Sequence, residues 1–247
     1  AASTERLTAI AEQQESLRER LTRQFTASER RVAASQSTLA FLRHQPATAL
    51  VMGDWTGAFG RELERQGCAV TRANAAGAPD LDEEAPFPGG PYDLVASLSG
   101  LDTVNDLPGA LIHMRRALAP GGRMIASLPG AGSLAVLRRI VLAADGERPA
   151  GRMHPLVDVR AGAQLVQRAG FAEPVADSRT LSIAWRSFAR MVQDLRAQGL
   201  SNQLAHPAPA GGKGWLGRAE AAFAVEADSE GRVVDRIEIL TLSGRAP

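Results

Sequence analysis

In the segment VMGDWTGAFG, Val51 to Gly60, an apolar run ends in a turn that carries Gly53 and Gly57. Closely spaced glycines at the end of a strand let backbone amides approach a nucleotide cofactor, because a side chain there would hold the ligand away. Asp54 and Trp55 stand between the two glycines and crowd that approach. Farther along, Asp102 is a lone carboxylate after an apolar segment. It can serve as a general base once partly desolvated, or as a helix cap or loop anchor, and both readings stay open. His154 in RMHP fixes a turn or contacts a substrate. Arg138, Arg139, Arg152 and Arg160 suit the entrance of an acidic substrate or a carrier protein, and equally suit solvated helix faces. His44, His113, His206 and Cys68 lack metal-ligand spacing, so no metal site is expected.

These residues need elements to hold them. TALVMGD reads as a short buried strand, GAFGRELERQG as an amphipathic helix, and CAVTRAN as a second strand. A loop rich in Pro, Gly and Asp leads to YDLVASLSG, a third strand. VNDLPGALIHMRRAL is then a helix, opened by Asn105 and Asp106 as capping residues. GGRMIASLPG is a strand, VRAGAQLVQRAG a helix, and PVADSRTLSIAW and RVVDRIEILTLSG are strands. Such alternation predicts a parallel sheet covered by helices on both faces, with ligands at the carboxyl ends of its strands. Segments near 129–160 and 186–226 fall outside it and are expected to cap those strand ends. Residues 1–45 form an N-terminal extension, helical through residue 43, whose broken apolar stripe predicts an interaction or homo-oligomer surface.

Bulk properties exclude several classes. The 247 residues carry a net charge of +1, with no basic stripe interleaved with aromatics, which argues against nucleic acid. One cysteine excludes a disulfide framework and fits a reducing compartment. No apolar run approaches the roughly 20 residues of a membrane span, and no signal or transit segment is evident, so a cytoplasmic setting is expected.

The order of elements resembles a class I S-adenosylmethionine-dependent methyltransferase. The likeness becomes specific in EEAPFPGGPYDLVASLSGLDTVNDLPGALIHMRRALAPGGRMIASLPG. VNDLPGAL, GSLAVLRR, HPLVDVR, LVQRAGF, DLRAQGLSN and EILTLSG narrow it to one branch. That branch contains the malonyl-carrier-protein methyltransferases of biotin synthesis and the complex I assembly factor that hydroxylates an arginine. The resemblance implies a Rossmann-like α/β fold of seven strands, mostly parallel with a reversed last strand, and S-adenosylmethionine as cofactor.

It also implies a damaged cofactor motif. The family's Asp-x-Gly-x-Gly-x-Gly places Val51 at the acid, Gly53 and Gly57 at two glycines, and Trp55 at the middle one. Asp54 is the candidate to replace the missing charge. Trp55 is expected to occupy, at least partly, the space of the cofactor's methionine end. Asn74 stands where an acid normally grips the ribose. Asp80, Asp82, Glu83 and Glu84 lie near the adenine-facing acid or form a solvated acidic loop, and Ser97 completes the expected contacts. Asp102 and Thr103 replace a His or Gln followed by Trp, which makes Asp102 the candidate catalytic carboxylate. His154 matches the branch's HP, and with Arg138 is a candidate substrate contact. If each lost contact costs about 1–2 kcal/mol, three weaken the cofactor several hundredfold or more. Two functions therefore remain in view. One is methyl transfer with a weakened grip; the other is a non-methylating relative that holds a protein client.

Overall fold

The computed structural model describes residues 45–75, 77–197, 204, 209 and 211–247. The helix expected over residues 1–43 lies outside them.

The leading strand, β1 (Thr48–Met52), shows why a sheet with two covered faces forms here. Leu50 and Met52 enter one apolar cluster, whereas Ala49 and Val51 enter another on the opposite face, as the twofold repeat of a strand requires. Helix α1 (Ala58–Arg65) covers the second face with Leu63. Next come β2 (Ala69–Ala73), β3 (Tyr92–Leu98), α2 (Leu107–Arg116) and β4 (Leu118–Pro129). Helix α2 packs Leu107, Ala110, Leu111 and Met114 onto the first face. It starts sharply, because Pro108 fits its opening turn and the Asp106 carboxylate accepts the Gly109 amide at 2.9 Å.

After α3 (Ala135–Asp145) and α4 (Val159–Arg168), the chain makes β5 (Ala172–Trp185), α5 (Phe188–Ala197), α6 (Trp215–Glu226) and β6 (Val233–Arg245). The sheet order is β2-β1-β3-β4-β6-β5, with β6 antiparallel to both neighbours, so the last strand is reversed as expected. Among the described residues there are six strands, not seven. The described residues between β2 and β3 form no strand and include Pro79, Pro86, Pro88 and Pro91. Proline donates no ladder hydrogen bond, so this stretch runs as a strap and β2 borders the sheet.

At the other end of the sheet β5 and β6 extend into a separate helical cluster, the cap. Only residues 239–245 of β6 pair with β4, while its earlier half pairs with β5 alone and runs past the sheet. There Trp185 and Val233 join Leu137 and Ile140 of α3, Phe188 and Met191 of α5, and Ala219 and Phe223 of α6 in a third apolar cluster. The same half of β6 anchors the chain leaving β4. The Gly130 and Leu134 amides donate to the carbonyls of Glu238 and Arg236. Buried Asp235 accepts the Leu137 amide at 2.8 Å, serving the start of α3, whose own leading residue offers no side-chain cap.

Candidate active site

The carboxyl ends of β1, β2, β3 and β4 point the same way, and the candidate residues gather above them. Gly53 leaves β1 with φ +70°, and a Cβ on it would lie 2.3 Å from the Leu98 carbonyl oxygen. Only glycine permits both that angle and that approach of two strand ends. Its amide donates to the Ala73 carbonyl, which ties the tip of β1 to β2.

The turn then sends Asp54 inward and Trp55 outward. Asp54 is 2% exposed, and its Oδ2 accepts the Gly60 amide at 2.8 Å. Its carbonyl accepts the Gly57 amide at 2.9 Å. The buried carboxylate thus fastens the turn to the start of α1, the loop-holding task expected of an acid at position 51. Val51 itself is wholly buried in apolar surroundings beneath α1, where an acid would have no partner. Trp55 is 65% exposed, contrary to the expectation that it fills the site. With Asp54 turned into the protein and bonded, the next side chain is directed to solvent.

Asn74 is not an open ribose contact. It has φ +51°, and its amide closes the strap: Nδ2 donates to the Leu81 carbonyl at 2.8 Å and to Glu83 Oε1 at 2.5 Å. Its Oδ1 accepts the Leu81 amide at 2.5 Å. Asp82 is exposed and accepts the Glu84 amide at 2.9 Å, and Asp80 is exposed as well. Glu83 instead turns over the strand ends. A Cβ placed on Gly100 would lie 3.3 Å from Glu83 Oε1 and 3.2 Å from Ser97 Oγ. Ser97 Oγ and Asp54 Oδ1 are buried, and among the described residues neither has a hydrogen-bond partner. Glu84 carries the strap onward, accepting the amides of Asn105 and, at 3.1 Å, Asp106 at the head of α2. That tie has no signature in the sequence.

Beyond β3 and β4 lies a cavity of about 340 Å³. Leu101, Val104, Leu128 and Leu156 make apolar wall, and Asp102, Asn105 and His154 are its polar lining. Asp102 and His154, 52 positions apart, come together here, close enough for the imidazole's charge to act on the carboxyl. Burial pushes the Asp102 carboxyl above its ordinary range, its own backbone amide and His154 opposing. The segment carrying His154 is held at both ends. Gly130 pairs with Val157, and the Arg152 guanidinium meets the Asp145 carboxylate at 2.7 Å. Asp145 also accepts the Trp215 indole at 2.7 Å, and Arg152 lies 5.1 Å over the centre of that ring. These cap contacts were not foreseen.

The other expected contacts lie elsewhere. Arg138 is exposed on α3 and does not line the cavity. Arg139 pairs with Glu226 on the cap surface, Arg160 is exposed on α4, and the His113 ring lies 6.4 Å from that of Phe87. His44 and His206 fall outside the described residues. Among the described residues no cluster suits a metal ion, and no helix is long and apolar enough to cross a membrane.

Comparison with known proteins agrees with this architecture. The chain is 31% identical over 166 residues to a malonyl-[acyl-carrier protein] O-methyltransferase of Gallionella capsiferriformans, covering 67% of this chain and 51% of that one. It is 34% identical over 125 residues to the mitochondrial arginine hydroxylase NDUFAF5 of Rattus norvegicus, covering 49% and 36%. The chain thus spans about half or less of the length of these curated relatives. Among solved structures, the YcgJ protein of Bacillus subtilis superposes with a TM-score of 0.50 at 12% identity, covering 81% and 91%, which speaks to the fold alone. Residues 17–173 match the family described as methyltransferase domain, and the chain belongs to that family.

Proposed function

We propose that the chain transfers the methyl group of S-adenosylmethionine to an acceptor seated in the cavity beside Asp102 and His154. The observation that carries this reading is the gathering of two sets of residues at the carboxyl ends of the parallel strands. One set is the Gly53 turn, Ser97 and Glu83; the other lines an apolar cavity with one carboxylate and one imidazole. The residues fit a nucleoside donor. Among the described residues two buried oxygens, Ser97 Oγ and Asp54 Oδ1, lack partners, and glycines stand nearby at positions 53, 57 and 100.

When bound, the donor supplies an electrophilic methyl carbon on a positively charged sulfur. The chain's part is to align, to exclude water and to receive a proton. The apolar wall keeps water from the acceptor, and Asp102, held partly out of water, takes the proton as the acceptor oxygen or nitrogen bonds to carbon. His154 stands beside Asp102 and, when protonated, steadies its anion. A carrier-borne acceptor is in keeping with the name of the methyltransferase relative. The test is calorimetric titration with S-adenosylmethionine and S-adenosylhomocysteine. Saturable binding of both at one per chain is expected. Absence of heat and of thermal stabilisation at millimolar ligand would leave a non-methylating protein that keeps the fold to hold a client.

A further inference from the structure

The acid expected at the end of β2 is missing from the sequence, yet a carboxylate is present in space. We propose that Glu83, positioned by Asn74, takes the ribose hydroxyls of the bound nucleoside. The inference rests on the methyl-donor reading above and assigns the role to a residue of the strap rather than of the strand.

Three observations converge on it. Asn74 has no donor left for a ligand diol: both amide protons are given to Leu81 and Glu83, and its oxygen already accepts the Leu81 amide. Glu83 is in the opposite condition. Its Oε1 receives one neutral donor at 2.5 Å, and among the described residues its Oε2 has no hydrogen-bond partner and the carboxylate no cation. A partly buried carboxylate in that state has lone pairs to offer, and two adjacent hydroxyls are well matched to its two oxygens. The third observation is position. Glu83 Oε1 and the unpartnered Ser97 Oγ both face the space a side chain on Gly100 would fill, at the carboxyl ends of β2 and β3. A nucleoside lying over these ends presents its ribose to an acid at that place. Position 74 is then a support whose amide must donate, and a carboxylate there would repel the one it now holds.

The experiment titrates the full chain with S-adenosylhomocysteine and its 2′-deoxy analogue, and adds a thermal melt for each variant. Wild type is expected to prefer the ribose form. Glu83→Gln weakens S-adenosylhomocysteine about 10–100-fold and removes most of that preference. Asn74→Asp, which restores the family's acid by type, weakens binding as well, whereas Asn74→Gln, which keeps the donor, does so less. Affinity within twofold of wild type in Glu83→Gln overturns the proposal, and so does a gain in Asn74→Asp. Should Asn74→Asp fail to fold, Glu83→Gln decides alone, because the exchange is isosteric and its effect on the 2′-deoxy analogue controls for lost structure. A wild type that binds neither ligand overturns the methyl-donor reading itself.

Discussion

The carboxylate of Asp54 and the amide of Gly60 meet at 2.8 Å in a place closed to water. Each removes a penalty from the other, since neither a buried carboxylate nor a helix-opening amide is tolerated unpaired. Asp54→Ala leaves the Gly60 amide orphaned and is expected to cost about 1–3 kcal/mol of folding stability. Urea unfolding followed by circular dichroism measures it. A loss indistinguishable from that of an exposed control substitution would contradict the assignment.

Trp55 follows immediately, and its exposure sets the opposite expectation. Trp55→Ala changes stability by less than about 0.5 kcal/mol, as for other surface side chains without a packing role. Trp55→Gly likewise leaves S-adenosylhomocysteine affinity unchanged, because no buried space is vacated. A marked tightening in calorimetry would return the indole to the binding site.

The Arg152 guanidinium, with the Trp215 indole and the Ala150 amide, holds the Asp145 carboxyl at about 2, below its ordinary 3.8. The folded state therefore binds the proton more weakly than the unfolded chain. The contribution to stability is present above about pH 4 and is lost as pH falls toward 2. Thermal melts between pH 2 and 6 should slope less steeply in Asp145→Asn than in wild type. The variant should also be less stable at neutral pH, where it lacks the ion pair beneath the cap. Equal slopes would show that Asp145 does not govern the acid limb.

Asp102 runs the other way. Burial raises its carboxyl, so the folded state holds the proton more tightly and ionisation of this group opposes folding as pH rises. Asp102→Asn should then be at least as stable as wild type at pH 7, while methyl transfer falls about 10²–10³-fold if the carboxylate takes the proton. Activity in wild type should decline on the acid side as Asp102 protonates, and His154→Ala, by removing a neighbouring positive charge, should move that decline to higher pH. A pH–rate profile unmoved by either change would rule the carboxylate out as base.

How much of this was legible depended on whether the cause was local. The strands TALVM, AVTRA and YDLVASL declare themselves through apolar runs bounded by turns, and the reversed final strand came with the family resemblance. Asp54 was legible as a charge in the right loop, though its inward direction is set by the backbone of the turn. The misreading of Trp55 has the same origin, since residue type alone does not say which way a turn points its side chains. Asn74 was read as a damaged contact because position in the motif suggested its role. Its actual partners, Leu81 and Glu83, lie seven and nine residues on, in a loop without periodicity. The meeting of Asp102 with His154 depends on the cap, whose placement rests on pairs such as Leu137 with Asp235, separated by 98 positions. No spacing rule reaches that far.

Glu83 and Glu84 are consecutive, yet they are moored to different elements, one to Asn74 at the tip of β2 and the other to the head of α2. Neighbouring Cα atoms are held about 3.8 Å apart, so one residue cannot be fixed while the other wanders. Asn105, whose amide Glu84 receives, also lines the cavity. A ligand that stills Glu83 therefore spends part of the ordering entropy an occupant of the cavity would otherwise bear, and the favour is returned in equal measure. On the proposed function, the strap between β2 and β3 is expected to make the donor and acceptor positions cooperative, each binding more tightly in the company of the other.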